Sequence, residues 1–464
     1  MRTLQQVQEN KMGTMPVLRL LLGMSVPSII SMLIHSLYNI VDSVYVSMLG
    51  EEALTAVTLA FPIQMLMIAF ATGTGVGVSS LISRRLGQRM QKQANDAATH
   101  GLILNALSSL LFVAFGLYFS EGFLRLFSQN EAVISMGIDY LSVVTVYCSM
   151  MFVEIMIGRI LQATGNMLSP MLFMLAGAVT NIILDPIMIF GLLGFPALGV
   201  RGAAVATVIG QAVSLLFALC VLIFKKHDVK ISFKRFRIKF KTIGHIYAVG
   251  LPTVLMQSLT SVMTTGLNAI LVGFSETAVS VLGIYFRLQS FVFMPIFGLT
   301  QGTLPVIGYN YGAGNKDRLL CAFGYACAIA VGIMAVGMSV FQFFTPQLMA
   351  LFNASEQMLQ IGVPALRLIS LCFIPAALVI MMLVSFQALG YGKYSLIVAF
   401  LRQIVMMLPL AFILSRLLGV FGVWVAFPLA ESVCFTASTA LFIRLYRRNI
   451  RTLTPRAETA DEAL

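Results

Sequence analysis

A chain of 464 residues, of which 59% are hydrophobic and 10% charged, is too apolar to be a soluble protein of that size. Its apolar runs exceed about 18 residues and have helical spacing, which excludes a transmembrane β-barrel of short alternating strands. The six cysteines show neither CxxC nor zinc spacing, so we expect them to be buried free thiols.

The apolar runs predict an all-α integral membrane protein with twelve transmembrane helices. In chain order the helices are expected at residues 17–45, 53–79, 97–119, 132–156, 166–190, 201–224, 244–272, 278–306, 319–343, 358–386, 395–417 and 421–445. The first run continues through Tyr45 without a small-residue cleavage site, so we predict a retained helix and not a cleaved signal peptide.

Basic residues predict the orientation of the helices, because Lys and Arg in short loops stay cytoplasmic. Most of the 30 basic residues fall in the two tails and in the loops after even-numbered helices, and the loop from Lys225 to Lys241 is the most basic. Both termini are therefore expected in the cytoplasm. Topology and contact with anionic membrane lipids account for the net charge of +12, so no nucleic-acid partner is expected.

An internal repeat divides the chain into two halves. An offset of 225 residues aligns Pro27 with Pro252, Gly77 with Gly302, and QATG at 162–165 with QALG at 387–390. Each half holds six helices, so the halves are parallel repeats, and substrate sites in such transporters lie near the membrane midplane between the repeats. The predicted segments are a cytoplasmic tail (1–16), an N-lobe (17–224), a basic linker (225–243), a C-lobe (244–446) and a second cytoplasmic tail (447–464).

Asp42 is a carboxylate in the second half of the first predicted helix. A charge at bilayer depth costs roughly 3 kcal/mol or more, so such residues face a bundle interior or a water-filled cavity. Helical spacing places Asn39, Tyr38 and His35 on the same side of the helix as Asp42. This polar stripe predicts an ion or proton site.

Two further polar stripes in the same half point to the same site. Asp185 follows Asn181 by one helical turn, and Pro186 frees the carbonyl of Ile182, while Thr207, Gln211 and Ser214 recur at helical spacing. Two carboxylates with Asn, Thr and Tyr suit a shared proton or a sodium ion, because hard cations bind oxygen. A polar network that only holds the helices together is the alternative. The predicted cation-coupling residues are Asp42, Asp185, Asn181, Tyr38, Thr207 and Asn39, and the predicted sodium ligands are Asp42, Asn181, Asp185 and Thr207.

Weaker signals predict the lining of a substrate cavity. Glu431 in the last helix either attracts a cationic substrate or pairs with Arg402 or Arg287. Glu154 and Arg159 are expected at the cytoplasmic interface. The predicted cavity residues are His35, Gln211, Gln257, Ser261, Thr264, Met256, Arg287 and Glu431.

These motifs resemble the multidrug and toxic compound extrusion (MATE) family. The resemblance rests on the two six-helix repeats, on Pro27 followed by Asp42 in the first helix, on NxxxDP at 181–186 and on GAAVAT at 202–207. It covers nearly the whole chain and is strongest for the prokaryotic branch related to the DNA-damage-inducible F protein. His35 departs from the amide or neutral residue expected at its position.

The resemblance implies a MATE fold around a central cavity and antiport of small organic cations or drugs against protons or sodium. It assigns coupling to Asp42, Tyr38, Asn181, Asp185 and Thr207, because the seventh and tenth helices carry no acid. It implies a bacterial cytoplasmic membrane protein that is not an enzyme and needs no cofactor besides its coupling ion. We expect the monomer to be the functional unit.

Two other functions are weighed against this interpretation. A lipid-linked sugar flippase of the same superfamily should have more helices or a strongly basic cavity, whereas only Arg287, Arg367 and Arg402 are available here. An intramembrane aspartyl protease would use Asp42 and Asp185 as a catalytic pair, but the sequence lacks the GxGD setting of such enzymes.

Overall fold

The computed structural model describes residues 10–233, 236–352 and 354–455, and its regular structure in these ranges is helical. The predicted tails 1–16 and 447–464 therefore lie partly outside the described residues. The helices of the first half are α1 (Lys11–Thr14), α2 (Val17–Ser47), α3 (Glu51–Gly87), α4 (Gln91–Tyr118), α5 (Ser120–Arg125), α6 (Glu131–Val146), α7 (Ser149–Ala163), α8 (Leu168–Phe190) and α9 (Gly199–Phe224). Those of the second half are α10 (Phe240–Val272), α11 (Glu276–Ala313), α12 (Lys316–Phe343), α13 (Thr345–Ala350), α14 (Glu356–Ser370), α15 (Phe373–Ala388), α16 (Gly392–Phe400), α17 (Leu408–Leu418) and α18 (Val420–Leu445).

The helices confirm the predicted all-α membrane fold. Among the described residues, ten helical spans are long and apolar enough to cross a bilayer, counting α16 and α17 as one continuous span over Gly392–Leu418. The number rises to twelve if each of two bent pairs forms one span. These pairs are α6 with α7, bent by 45°, and α14 with α15, bent by 47°. The fourth and tenth predicted spans are therefore each broken in the middle.

The internal repeat is visible in the backbone. The two breaks, after α6 and after α14, fall within one residue of positions equivalent under the 225-residue offset. Gly165 and Gly390 end the QATG and QALG motifs with φ of +90° and +88°, a conformation that glycine adopts without steric cost. The repeated motifs thus mark the same turn in each half.

Two compact units make up the described chain, and they interleave in sequence. Unit 1 contains the described residues of Met1–Ile29, Ser83–Met90 and Leu255–Leu464, and unit 2 contains Ile30–Ile82 and Gln91–Val254. The first part of α2 thus belongs with the second repeat, and the first part of α10 belongs with the first repeat. The predicted lobes, by contrast, keep each of these helices whole.

Paired glycines explain why the first part of α2 and the first part of α10 each belong with the other repeat, an arrangement that we call the exchange of half-helices. In unit 1, α2 packs on α11 at Gly298 and Gly302, where an added Cβ would lie 2.6 Å from the Ile29 backbone and 2.7 Å from the Ser25 hydroxyl. In unit 2, α10 packs on α3 at Gly73 and Gly77. Small residues four apart let two membrane helices approach closely, so both contacts depend on the same GxxxG pattern.

The described part of the basic linker lies against the first turns of α4 in unit 2. The backbone N–H of Lys230 donates to Asn95 Oδ1 at 2.9 Å, and that of Lys239 donates to His100 Nε2 at 2.9 Å. Lys239 also forms an ion pair with Asp96. The predicted linker is therefore attached to the helix bundle at several points along its length.

Candidate functional site

The predicted coupling site is built on α8 and α9, which pack closely in unit 2. A Cβ added at Gly177 would lie 2.8 Å from the Gly210 carbonyl oxygen, and one added at Gly210 would lie 2.8 Å from that of Gly177. Asn181 follows Gly177 by one turn of α8, and Thr207 precedes Gly210 by one turn of α9. The glycine contact therefore brings these two polar side chains within reach of each other.

Asn181 is the centre of a buried hydrogen-bonded group. Its amide Nδ2 donates to Asp185 Oδ1 at 3.1 Å and, more weakly, to Thr207 Oγ1 at 3.4 Å. The Asp185 side chain is 0% exposed and that of Asp42 is 9% exposed. Both carboxylates are thus removed from solvent and interact electrostatically with each other.

Tyr38 joins α2 to the same group. Its side chain interacts with Thr207 and, electrostatically, with Asp42 and Asp185. Three helices of unit 2 therefore contribute to one cluster, which we call the coupling cluster: Asp42, Asp185, Asn181, Tyr38 and Thr207.

Two polar residues that the sequence did not single out lie beside the cluster. Tyr140 on α6 is buried and interacts electrostatically with Asp42, Tyr38 and Asp185. Its hydroxyl accepts a hydrogen bond from Gln64 Nε2 of α3 at 3.1 Å. Gln64 is an isolated polar residue in an apolar stretch of α3, which was an available signal, whereas Tyr140 directly follows Asp139 in α6 and is not marked by the local sequence.

Several oxygens in and beside the cluster are buried without a hydrogen-bond partner among the described residues. They are Asp42 Oδ1, Asp185 Oδ2, Asn181 Oδ1 and Gln211 Oε1. A buried oxygen without a partner loses roughly 1–3 kcal/mol of solvation, so each is an acceptor for a proton, a water or a cation. Oxygen acceptors of this kind suit a hard cation as well as a proton.

Other residues predicted for this side lie apart from the cluster contacts. Asn39 is exposed, and its amide donates to the His35 carbonyl at 2.7 Å. On a helix Tyr38 and Asn39 point about 100° apart, which explains why only Tyr38 faces Thr207. The half-buried His35 ring lies 5.8 Å from the Tyr38 ring.

The remaining cavity residues belong to unit 1. Gln257, Ser261 and Arg287 are exposed, Met256 is half-buried, and Thr264 is half-buried with its hydroxyl donating to the Thr260 carbonyl. They are thus spread over α10 and α11 and do not form a cluster comparable to that of unit 2.

Glu431 lies in unit 1 and has a specific partner. Its carboxylate is 3.8 Å from the guanidinium of Arg402, which projects from the π-helical segment Leu401–Met407. Of the two arginines weighed from the sequence, the structure therefore pairs Glu431 with Arg402. π-Helical segments are frequent at functional sites.

The two repeats differ at the positions that carry charge. Leu267 and Leu410 are equivalent to Asp42 and Asp185 under the repeat offset. Leu267 is a fully buried member of the hydrophobic core of unit 1, and Leu410 packs against that core. Acidic residues at these positions therefore occur in unit 2 alone.

Comparison with known proteins identifies the family. The MatE family model matches residues 27–187 and 252–413, two segments that begin at the equivalent prolines Pro27 and Pro252. The chain belongs to the MATE family of membrane transporters. The resemblance stated from the motifs is thereby confirmed, and the protein is a multi-pass membrane protein.

Relatives of known activity cover almost the whole chain. An FAD transporter of Shewanella oneidensis is 28% identical over 419 residues, which cover 90% of this chain and 92% of that protein. The multidrug export protein MepA of Staphylococcus aureus is 26% identical over 435 residues, covering 93% and 95%. The chain is thus similar to transporters that are named for different substrates.

Solved structures agree with this MATE assignment. An outward-facing multidrug resistance MATE transporter of the MOP superfamily superimposes with a TM-score of 0.89 at 30% identity, covering 97% of this chain and 99% of that one. A MOP superfamily transporter from Pyrococcus furiosus gives 0.88 at 30% identity, covering 96% and 98%. The MATE fold therefore applies to the whole chain.

Proposed function

We propose that this MATE transporter is a secondary active exporter that exchanges small organic cations for protons at the coupling cluster. The observation that carries the proposal is the pair of buried, mutually interacting carboxylates, Asp42 and Asp185, with acceptor oxygens around them. Intramembrane carboxylates mark ion and proton pathways by default. The relatives that export drugs support the class of substrate.

The cluster supports a simple coupling step. Two neighbouring carboxylates in a low-dielectric site cannot both be ionised cheaply, so the pair is expected to hold a proton. Protonation removes charge from α2, whose Pro27 lacks a backbone N–H and leaves the Gly23 carbonyl without its helical donor. Bending at this point would accompany release of the drug. Sodium is the competing ion, with Asp42, Asn181, Asp185 and Thr207 as its ligands.

A resistance panel tests the proposal at the level of function. Expression of the chain in a bacterial strain that lacks its own efflux pumps should raise the inhibitory concentrations of several organic cations relative to an empty vector. Neutral and anionic drugs serve as comparison compounds within the same panel. Unchanged sensitivity to every cation, with the protein present in the membrane, would contradict drug export.

A second candidate substrate is a flavin nucleotide. It is favoured by the Shewanella oneidensis relative, which is an FAD transporter, and by the exposed cationic side chain of Arg287 on α11. The same strain provides the test, because FAD export would raise the flavin content of the culture medium whereas cation export would not.

The basic loops support an inner-membrane location with both termini in the cytoplasm. A cysteine introduced as Asp228→Cys in a cysteine-free variant is expected to react only with reagents that reach the cytoplasm, because this exposed position belongs to the basic linker. The measurement is labelling by a membrane-impermeant maleimide before and after cell lysis. Labelling of intact cells would reverse the orientation of every loop.

A further inference from the structure

Glu154 carries a half-buried carboxylate in unit 2 that lies outside the coupling cluster. It lies on α7, and its Oε1 accepts a hydrogen bond from the Ser214 hydroxyl of α9 at 3.2 Å. Ser214 itself is buried. The residue expected at the membrane interface is thus hydrogen-bonded to the helix that also carries Thr207.

One face of α9 connects Glu154 with the coupling cluster. Thr207, Gln211 and Ser214 are spaced by four and three residues, so they lie on the same side of the helix. Thr207 contacts Asn181 at one end, and Ser214 contacts Glu154 at the other. Helical rise separates the two ends by about 10 Å.

Gln211 lies between Thr207 and Ser214 on this face of α9, and its side-chain oxygen can accept a hydrogen bond. Its buried Oε1 has no hydrogen-bond partner within the described chain. A buried acceptor flanked by two hydroxyls on the same face is a polar setting that can hold a water molecule, which needs two to four such partners. Because the two hydroxyls are about 10 Å apart, more than one water would be needed to join them along α9.

The charged surroundings of Glu154 come from four helices, α4, α7, α8 and α9. On α7 itself Arg159 follows, with its stem over Gly75 of α3 and its guanidinium donating to Gln162 at 3.2 Å. The helices that pack on α7 elsewhere are α4, α8 and α9. Their charged or titratable side chains are Lys92, Asp96 and His100 in the first turns of α4, Asp185 on α8 and Arg201 at the start of α9.

We propose that Glu154 is a second proton-binding residue, which receives the proton from Asp185 along the polar face of α9. In this step the O–H bond at Asp185 breaks and an O–H bond forms at Glu154. The proton passes first to a water at Asp185 Oδ2, which has no hydrogen-bond partner among the described residues. Several waters along this face of α9, together with the hydroxyls of Thr207 and Ser214, then each accept one proton and pass on another. The proton thereby moves towards the Phe224 end of α9, which leads into the basic linker. The inference rests on the proposed proton coupling and extends it to a residue outside the cluster.

The test combines transport with spectroscopy of reconstituted protein. Uptake of tetraphenylphosphonium into vesicles driven by a pH gradient is expected to fall about tenfold in Glu154→Gln, since water replaces a positioned proton acceptor only in part. Glu154→Asp should restore most of the rate, and Ser214→Ala should lower it. Glu52→Gln, at an exposed carboxylate that accepts from Asn130, is the matched control and should match the wild type.

Infrared difference spectra between acidic and alkaline buffer give an independent readout of proton binding. Each carboxylic acid that gains a proton contributes its own component to the carbonyl-stretch band. The component from Glu154 should be lost in Glu154→Gln and retained in Asp185→Asn and Glu52→Gln. Wild-type spectra and uptake in Glu154→Gln would overturn the inference. A wild-type protein without pH-driven uptake would contradict the proposed function instead, and the infrared band would still decide whether Glu154 binds a proton. If Glu154→Gln fails to fold, Glu154→Asp and Ser214→Ala decide the transport arm.

Discussion

Replacing Asp185 by asparagine is expected to abolish active efflux while the protein remains in the membrane. The amide keeps the shape of the side chain and can still contact Asn181, but it can neither take up nor release a proton. Asp42→Asn should have the same effect, because the two carboxylates act as one titrating unit. We expect a loss of at least about a hundredfold, within the range for removal of a positioned proton carrier. The measurement is efflux of a fluorescent cation from preloaded cells.

The internal repeat supplies a matched control for this result. Leu410 occupies the position equivalent to Asp185 in the second repeat and packs against the apolar core of unit 1. Leu410→Ala should leave a substantial rate of efflux, with its cost appearing as reduced stability. Full efflux in Asp42→Asn or Asp185→Asn would end the hypothesis of coupling at this cluster.

A pH gradient alone is expected to drive transport in sodium-free buffer. The coupling cluster holds two carboxylates, and neutralising one with a proton relieves their mutual repulsion. An inward-moving positive charge also gains roughly 2.3 kcal/mol per 100 mV of membrane potential. The measurement is efflux of a fluorescent cation from reconstituted vesicles, with the proton gradient and the sodium gradient imposed separately.

A proton and a sodium ion need different neighbouring residues, so a variant at Asn181 can serve as a control for this experiment. Asn181→Ala removes a candidate sodium ligand but leaves both carboxylates in place, so it should impair sodium-driven transport more than proton-driven transport. Transport that occurs only with a sodium gradient would show that the proton assignment is wrong.

The spacing of the apolar residues and the internal repeat of the sequence were sufficient to predict most of the fold. Long apolar runs specify membrane helices directly, because the bilayer allows little other backbone structure. The breaks after α6 and α14 were missed. The apolar pattern continues through Tyr147 without a proline, and the signal of Pro375, which leaves the Leu371 carbonyl without a helical donor, was not used. The exchange of half-helices was also missed, because a GxxxG pattern shows that a helix packs closely but does not name its partner.

Contacts between residues on one helix face follow from the sequence more readily than contacts between helices. Asn181 and Asp185 are one turn apart, so their contact follows from helical geometry. Tyr140 comes close to Asp42 only through the packing of α6 in unit 2, for which the local sequence has no signal. The partner of Glu154 was likewise decided by the packing of α7 on α9.

The exchange of half-helices sets the order in which the protein can be completed during its synthesis. The ribosome makes the first part of α2 early, yet the glycines that receive it, Gly298 and Gly302, emerge only after the whole first repeat. Unit 2 likewise cannot be completed until the ribosome has synthesised the part of α10 that ends at Val254. A nascent chain therefore carries an unpaired half-helix through the insertion of nine later helices, α3 to α11 including the short α5. Cutting the gene at the basic linker would leave two fragments, neither of which contains a whole unit.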